Sequence, residues 1–257
     1  MVYKEIQDIK MRWLFFFFVF IILLVMTVVV RPYLSVLVSG YSIETANLPD
    51  FIQNMVGDFS ALERLKTDNA FYLFSQWFGK NMGQFLPLCV LMLTFPLFSR
   101  EAEKKTIYFL LSRIKREKVF IAKYTTVLTS IIIMLLIFAG GAPVLMTITG
   151  YSGDYTKTIP LFFQQVIACW FFFSLFVLYS VAFYDQIKPV VLGIVTVFIL
   201  PVLGLYEPLS FLNPYPFLFG NSVVASGAID GFYAFGLCLV SIALSLIAFF
   251  YFRIKEY

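Results

Sequence analysis

Histidine is absent from the 257 residues, and with it go imidazole-based metal sites and every nucleophile that depends on a His base. Cysteine is scarce. Cys89, Cys169 and Cys238 lie in separate apolar runs with no C-x-x-C pair, so neither a zinc site nor a disulfide framework is indicated, and all three read as small packing residues. Charged residues make up 13% of the chain, well below the roughly 25% of a soluble domain, which excludes a water-soluble enzyme. A nucleotide-binding loop is missing too. Gly79-Lys80 is the only Gly-Lys pair, and Phe74 occupies the position where Gly-x-x-x-x-Gly-Lys needs its first glycine. No internal repeat is visible, so an inverted-repeat secondary transporter lacks its usual sequence support.

What is present is apolar: 61% of the residues, with a mean hydropathy of +0.88. This composition predicts an all-α integral membrane protein. A helix crossing the hydrocarbon needs about 20 apolar residues. Six stretches approach or exceed that length, at 13–38, 82–98, 119–148, 159–184, 190–205 and 232–252. The second and fifth are short and carry prolines (Pro87 and Pro96; Pro201), and flanking aromatics such as Phe71–Phe78 can extend the second. The first reads as an uncleaved span, because its apolar run exceeds the roughly 7–15 residues of a signal-peptide core and no small-x-small site follows. Arg31, near its end, is expected to snorkel to the outer head groups.

Basic residues orient such a bundle. With the N-terminus cytoplasmic, segments 1–12, 99–118, 185–189 and 253–257, with Lys123 at a border, hold 14 of the 19 Lys and Arg residues against 7 of the 15 acids. Both termini are therefore expected in the cytoplasm of a multi-pass cell-membrane protein. Three connections stand out. The external loop at 39–80 contains Phe51, Ile52, Met55, Val56, Phe59, Leu62 and Leu65 at helical spacing, which predicts a surface-lying amphipathic helix. In the cytoplasmic loop at 99–118, composition alone reads as a juxtamembrane basic patch attracted to anionic lipid, but Ile107, Leu110, Leu111 and Ile114 form an i, i+3, i+4, i+7 stripe flanked by charge, better suited to the groove of a partner protein. The segment 207–230, with Pro208, Asn213, Pro214 and Pro216, is too apolar for an ordinary loop and too broken for a span. It reads as a re-entrant pair of half-helices before the last span.

The run from Phe85 to Lys123 resembles the permease subunits of type-2 ABC exporters. Those show an acidic residue, then Gly-Thr, then Leu-Leu-Ser-Pro, then an Arg and a Lys leading into the third span. The matching positions are Glu101 or Glu103, Thr106, Leu110, Leu111, Ser112, Arg116 and Lys123, while Lys105 stands at the glycine position and Arg113 at the proline position. The opening Tyr3-Lys-Glu-Ile is similar to the family's N-terminal interfacial helix, and Leu212-Asn-Pro-Tyr-Pro to its motif before the last span. The resemblance implies six spans and a coupling helix at about 101–111, Ile107 included, that docks on a cytoplasmic ATP-binding subunit. It further implies two such subunits per complex and a second permease copy or homologue. ATP and Mg would be held by the partner, with no cofactor on this chain. A hydrophobic passage lined by aromatic faces such as Phe171–Phe176 would suit lipid-like cargo, although such runs are more often filler against lipid.

Three other classes compete. An intramembrane aspartyl protease needs two facing carboxylates, and Asp185 at a span end has no Gly-x-Gly-Asp partner motif, so no enzyme activity is expected. An ion-coupled carrier or channel commonly buries ionisable residues at mid-membrane, where the predicted spans have almost none. A non-transporting scaffold of the same layout, of the immunity type, stays open. No nucleic-acid partner is expected; membrane lipid is.

Overall fold

The computed structural model describes residues 2–33 and 64–256, and every regular element among them is helical. The expected amphipathic helix of the first external loop falls on residues outside this set, apart from its last turn at 64–67, which is helical. Helix α1 spans Val2–Val30 and closes in a tight turn at Arg31–Tyr33. No Gly or Pro interrupts it, so the interfacial segment and the first span form one rod rather than two elements. Arg31 does not reach outward as expected. It is buried, its NH2 donating to Lys66 O at 2.7 Å and its Nε to Asn69 Oδ1 at 3.1 Å, with the Tyr72 ring 4.9 Å from the guanidinium carbon. The backbone carbonyl and aromatic face supply what water would otherwise give the cation.

Helix α2, Asn69–Glu103, starts well before the expected boundary, so residues 69–80 belong to the bundle and not to the loop. Asp68 caps it, accepting from the amides of Ala70 and Phe71. Residues Leu73–Met82 are wound as a π-helix, which turns Leu73, Phe74, Trp77 and Phe78 inward. Neighbours hold the wider winding: Trp77 Nε1 donates to Phe138 O, and Gln165 Nε2 to Phe78 O at 3.1 Å. Gly83 allows the return to α-winding, because a Cβ there would stand 2.6 Å from Phe78 O and 2.8 Å from the Phe219 ring. At Pro96 the helix loses a donor and frees Met92 O, toward which Arg12 NH1 points at 3.4 Å. Ser180 secures the bend from across the bundle, donating to Phe95 O and accepting from the amides of Phe98 and Ser99.

After α3 (Thr106–Arg113) come α4 (Arg116–Ile148), α5 (Thr158–Ala182) and α6 (Ile187–Leu203). Two short helices follow, α7 (Tyr215–Leu218) and α8 (Asn221–Ser226), and then α9 (Gly231–Ile254). Among the described residues, five helices (α1, α2, α4, α5 and α9) are long and apolar enough to cross a membrane. α6 has 17 residues, at the lower limit for a span of about 17–25. α5 is the hub, packed against α2, α4, α6, α7 and α9. Phe172, Phe173 and Phe176 are fully buried there, so the aromatic run is the core of the bundle rather than lipid-facing filler or the wall of a passage.

Pro201 in α6 frees the carbonyl of Val197, and Tyr215 of the returning segment donates its hydroxyl to that oxygen at 2.8 Å. The broken segment thus repairs the broken helix, within the rule that irregular backbone at membrane depth must be satisfied by protein. Tyr215→Phe, which strands a buried acceptor, is expected to cost about 1–3 kcal/mol, read as a lower unfolding temperature of the purified chain. Tyr206→Phe, on an exposed ring, should change nothing measurable.

Candidate functional site

The stretch that matched the exporter motif folds as two helices with a turn between them. Glu101 and Glu103 belong to the end of α2, and α3 begins only at Thr106, which corrects a single helix over about 101–111. The turn is glycine-like although it holds a lysine: Lys105 has φ +57°, the left-handed region that costs a side-chain-bearing residue roughly 1–2 kcal/mol. Lys105→Gly is therefore expected to stabilise the chain, by up to about 1 kcal/mol after the entropy glycine loses on folding, read by thermal unfolding. At the other end, where a proline was expected, Arg113 closes α3, and Ile114 (extended) and Lys115 lead straight into α4.

The apolar stripe of α3 faces its own chain. Ile107 is fully buried, and Leu110, Leu111 and Ile114 are half-buried against the core. The face left open carries Tyr108 and Phe109, 52% and 63% exposed, with Ser112 and Arg113 beside them. The Arg113 guanidinium lies 4.2 Å from the Phe109 ring centre, a cation–π contact that holds the ring in place. Thr106 Oγ1 reaches Glu101 O at 3.4 Å and Ser112 Oγ donates to Phe109 O. Glu103 accepts from Gln186 Nε2 in the connection to α6.

Beneath α3 lies the feature that sequence reading missed. Lys123, 2% exposed, points from the second turn of α4 into a gap between α1 and the end of α2. Its Nζ donates to both oxygens of Glu5 at 2.9 Å and lies 3.2 Å from Glu101 Oε2. Lys4 Nζ donates to Glu101 Oε1 at 3.0 Å, and Arg100 pairs with Asp8 at 3.2 Å. Lys123, Lys4, Glu5 and Glu101 thus balance as two cations and two anions, which is how buried charge is tolerated. The cluster ties three helices together at the root of α3. Glu101 and Lys123 stood at motif positions and Lys123 lay a short way inside an apolar run, but nothing in the sequence paired them with each other or with Glu5.

Arg116 ties in the fourth helix, its NH1 donating to Arg253 O at 3.0 Å and Lys255 O at 2.6 Å. Lys255 Nζ donates in turn to Val181 O and Ala182 O at the end of α5. Burial pushes the Lys255 ammonium down to about 8. The unfolded chain then holds that proton more tightly between pH about 8 and the ordinary lysine value of 10.5. Stability is therefore expected to rise with pH across that window. The check is thermal unfolding at pH 7.5 and 9.5, with a rise that Lys255→Met lacks. Asp185, before α6, is held below the usual carboxylate range by hydrogen bonds from the Lys188 backbone and side chain.

The residues of the 207–230 segment gather at the opposite end of the bundle, separated from α3 by the length of α9, about 36 Å for its 24 residues. Asn213 Oδ1 accepts from Tyr215 N, and Asn213 O from the Tyr233 hydroxyl. Pro214 precedes α7 and Pro216 lies in its first turn, while Pro208 starts an exposed 3-10 turn at Glu207–Leu212. The segment is held to the bundle by side chains from α5 and α9: Gln164 donates to Phe217 O and Ser222 Oγ. Among the described residues no group of His, Cys, Asp and Glu is arranged to hold a metal ion.

No curated protein matches the chain. The family described as ABC-2 family transporter protein matches residues 1–253, a range that includes α3, the ion cluster at its root and the proline-broken segment at the far end. With nearly its whole length covered, this all-helical chain belongs to the ABC-2 family of transporter proteins, as a membrane permease.

Proposed function

We propose that the chain is the membrane subunit of an ATP-driven exporter and that it takes its energy from a separate ATP-binding subunit docked on α3. The observation that carries this reading is the build of α3. A short helix stands at one end of the bundle between a left-handed turn at Lys105 and an extended two-residue link, shows Tyr108 and Phe109 outward, and is rooted in an ion cluster shared by α1, α2 and α4. A push on such a helix displaces three helices as a unit, since packed elements move as rigid bodies rather than deform. In the full complex two ATP-binding subunits, holding ATP and Mg, would lie beneath two permeases. The surplus of Lys and Arg at the α3 end supports a cytoplasmic position for that end and for both termini. The broken segment at the far end would then enter the membrane from outside.

Charge burial favours this reading over an ion-coupled carrier. The buried charged residues among those described are Glu5, Arg31, Glu101, Lys123 and Lys255, and all lie near helix ends rather than at mid-span. The test is affinity purification of the tagged chain from its native membrane. A separate ATPase should accompany it, and transport in reconstituted vesicles should need ATP and that subunit. Full activity with no hydrolase present would overturn the proposal. Orientation is checked in a background lacking the three cysteines: an impermeant thiol reagent on sealed cells should label Asp154→Cys and spare Lys115→Cys.

A further inference from the structure

Where α3, α4 and α9 meet, a cavity of about 640 Å3 opens on the surface, and Arg113, Lys115, Arg116 and Arg253 line it against one carboxylate, Glu117. Three of these side chains are set by other contacts, Arg113 by the Phe109 ring. Arg116 is held by the last carbonyls of α9, and Arg253 leans toward Glu117 at 3.7 Å. α4 begins at the wall of this cavity, and Lys115 before it makes no side-chain cap. The first-turn amides and the positive end of a 33-residue helix dipole therefore add to the cationic charge.

The depth of the cavity selects the ligand. It sits at the first turn of α4 and the last turn of α9, two helices of membrane-crossing length, which is head-group level in a bilayer. On the same helix faces, four residues past Glu117 and three before Arg253, Ile121 and Phe250 are exposed apolar side chains (54% and 50%). A cationic cavity over an apolar track fits an amphiphile with an anionic head.

We propose that this cavity binds an anionic membrane phospholipid, with the phosphate held by Arg113, Lys115, Arg253 and the start of α4 and an acyl chain lying along Ile121 and Phe250. The site adjoins the exposed aromatic face of α3, sharing Ser112 and Arg113 with it, and does not depend on the exporter reading.

The test uses the full chain in detergent, exchanged with phosphatidylglycerol or phosphatidylcholine, and counts retained lipid by native mass spectrometry. Phosphatidylglycerol should be retained about tenfold better. The triple change Arg113→Gln, Lys115→Gln and Arg253→Gln should abolish that preference, whereas Lys10→Gln, Lys80→Gln and Lys188→Gln together should keep it. Arg116 is left intact because it anchors α9, and unchanged helicity and monodispersity certify the fold. Ile121→Ser with Phe250→Ser should weaken lipid retention, and soluble glycerol phosphate should compete poorly. Equal loss in the control triple would show general surface charge. Full displacement by glycerol phosphate would show a phosphate site without lipid. Loss of a co-purifying ATPase with the lipid preference intact would assign the cavity to protein docking. Any of these three results overturns the proposal.

Discussion

Lys123→Met is expected to lower stability by about 3–5 kcal/mol, the range for a buried ion pair that loses one partner. The loss comes less from the missing contacts than from what remains. Glu5 and Glu101, both nearly buried, would face each other with their shared cation gone and only the half-exposed Lys4 beside Glu101. Because the penalty is uncompensated charge, removing the other charges should reverse it. The triple variant Lys123→Met, Glu5→Gln, Glu101→Gln is expected to recover most of the loss, as apolar or neutral replacements of whole buried ion clusters often do. Thermal unfolding of the purified single and triple variants decides the matter. A single variant as stable as the parent would show that water reaches the cluster and that it does not brace α3. If the cluster carries the push from α3 into the bundle, the triple variant should fold well and transport poorly, a separation that a purely structural cluster would not produce.

The second expected result concerns two neighbouring positions on α3. Phe109→Asp should leave the fold in place and weaken association with an ATP-binding subunit by about 30-fold or more, the effect of losing one hot-spot aromatic worth about 2 kcal/mol. Ile107→Asp should instead prevent folding, since it drives a charge into a fully buried position. Arg113 loses its ring contact in the first variant, a change of only about 0.5–1 kcal/mol at an exposed site. Co-purification and membrane expression levels distinguish the two outcomes. Association unchanged by Phe109→Asp would move the docking surface away from the outer face of α3.

The contrast between Ile107 and Phe109 shows where sequence reading stopped. The spacing of Ile107, Leu110, Leu111 and Ile114 predicts one helix face; the first three share it, Ile114 lies in the extended link after α3, and periodicity does not say what that face packs against. A stripe turned to a partner and a stripe turned to the chain's own core look identical. Arg31 is a similar case. Its position near a span end suggested head groups, and only the approach of Lys66 and Asn69 turned it inward. Lys105 is the converse case: a lysine at the motif's glycine position argues against a tight turn, yet the backbone there keeps the glycine-like angle.

Composition and periodicity settled the class of this protein, because a chain with 61% apolar residues and 13% charge must place its helices in a membrane whatever its topology. The motif then located the loop that carries α3. Tertiary structure alone decided which charges meet. Lys123, Glu5 and Glu101 are remote along the chain, and the Val197 carbonyl finds the Tyr215 hydroxyl only after the segment beyond α6 turns back. The physical reason is that local pattern fixes each helix and its apolar faces, whereas the pairing of buried polar groups depends on how helices pack, and no local pattern encodes that.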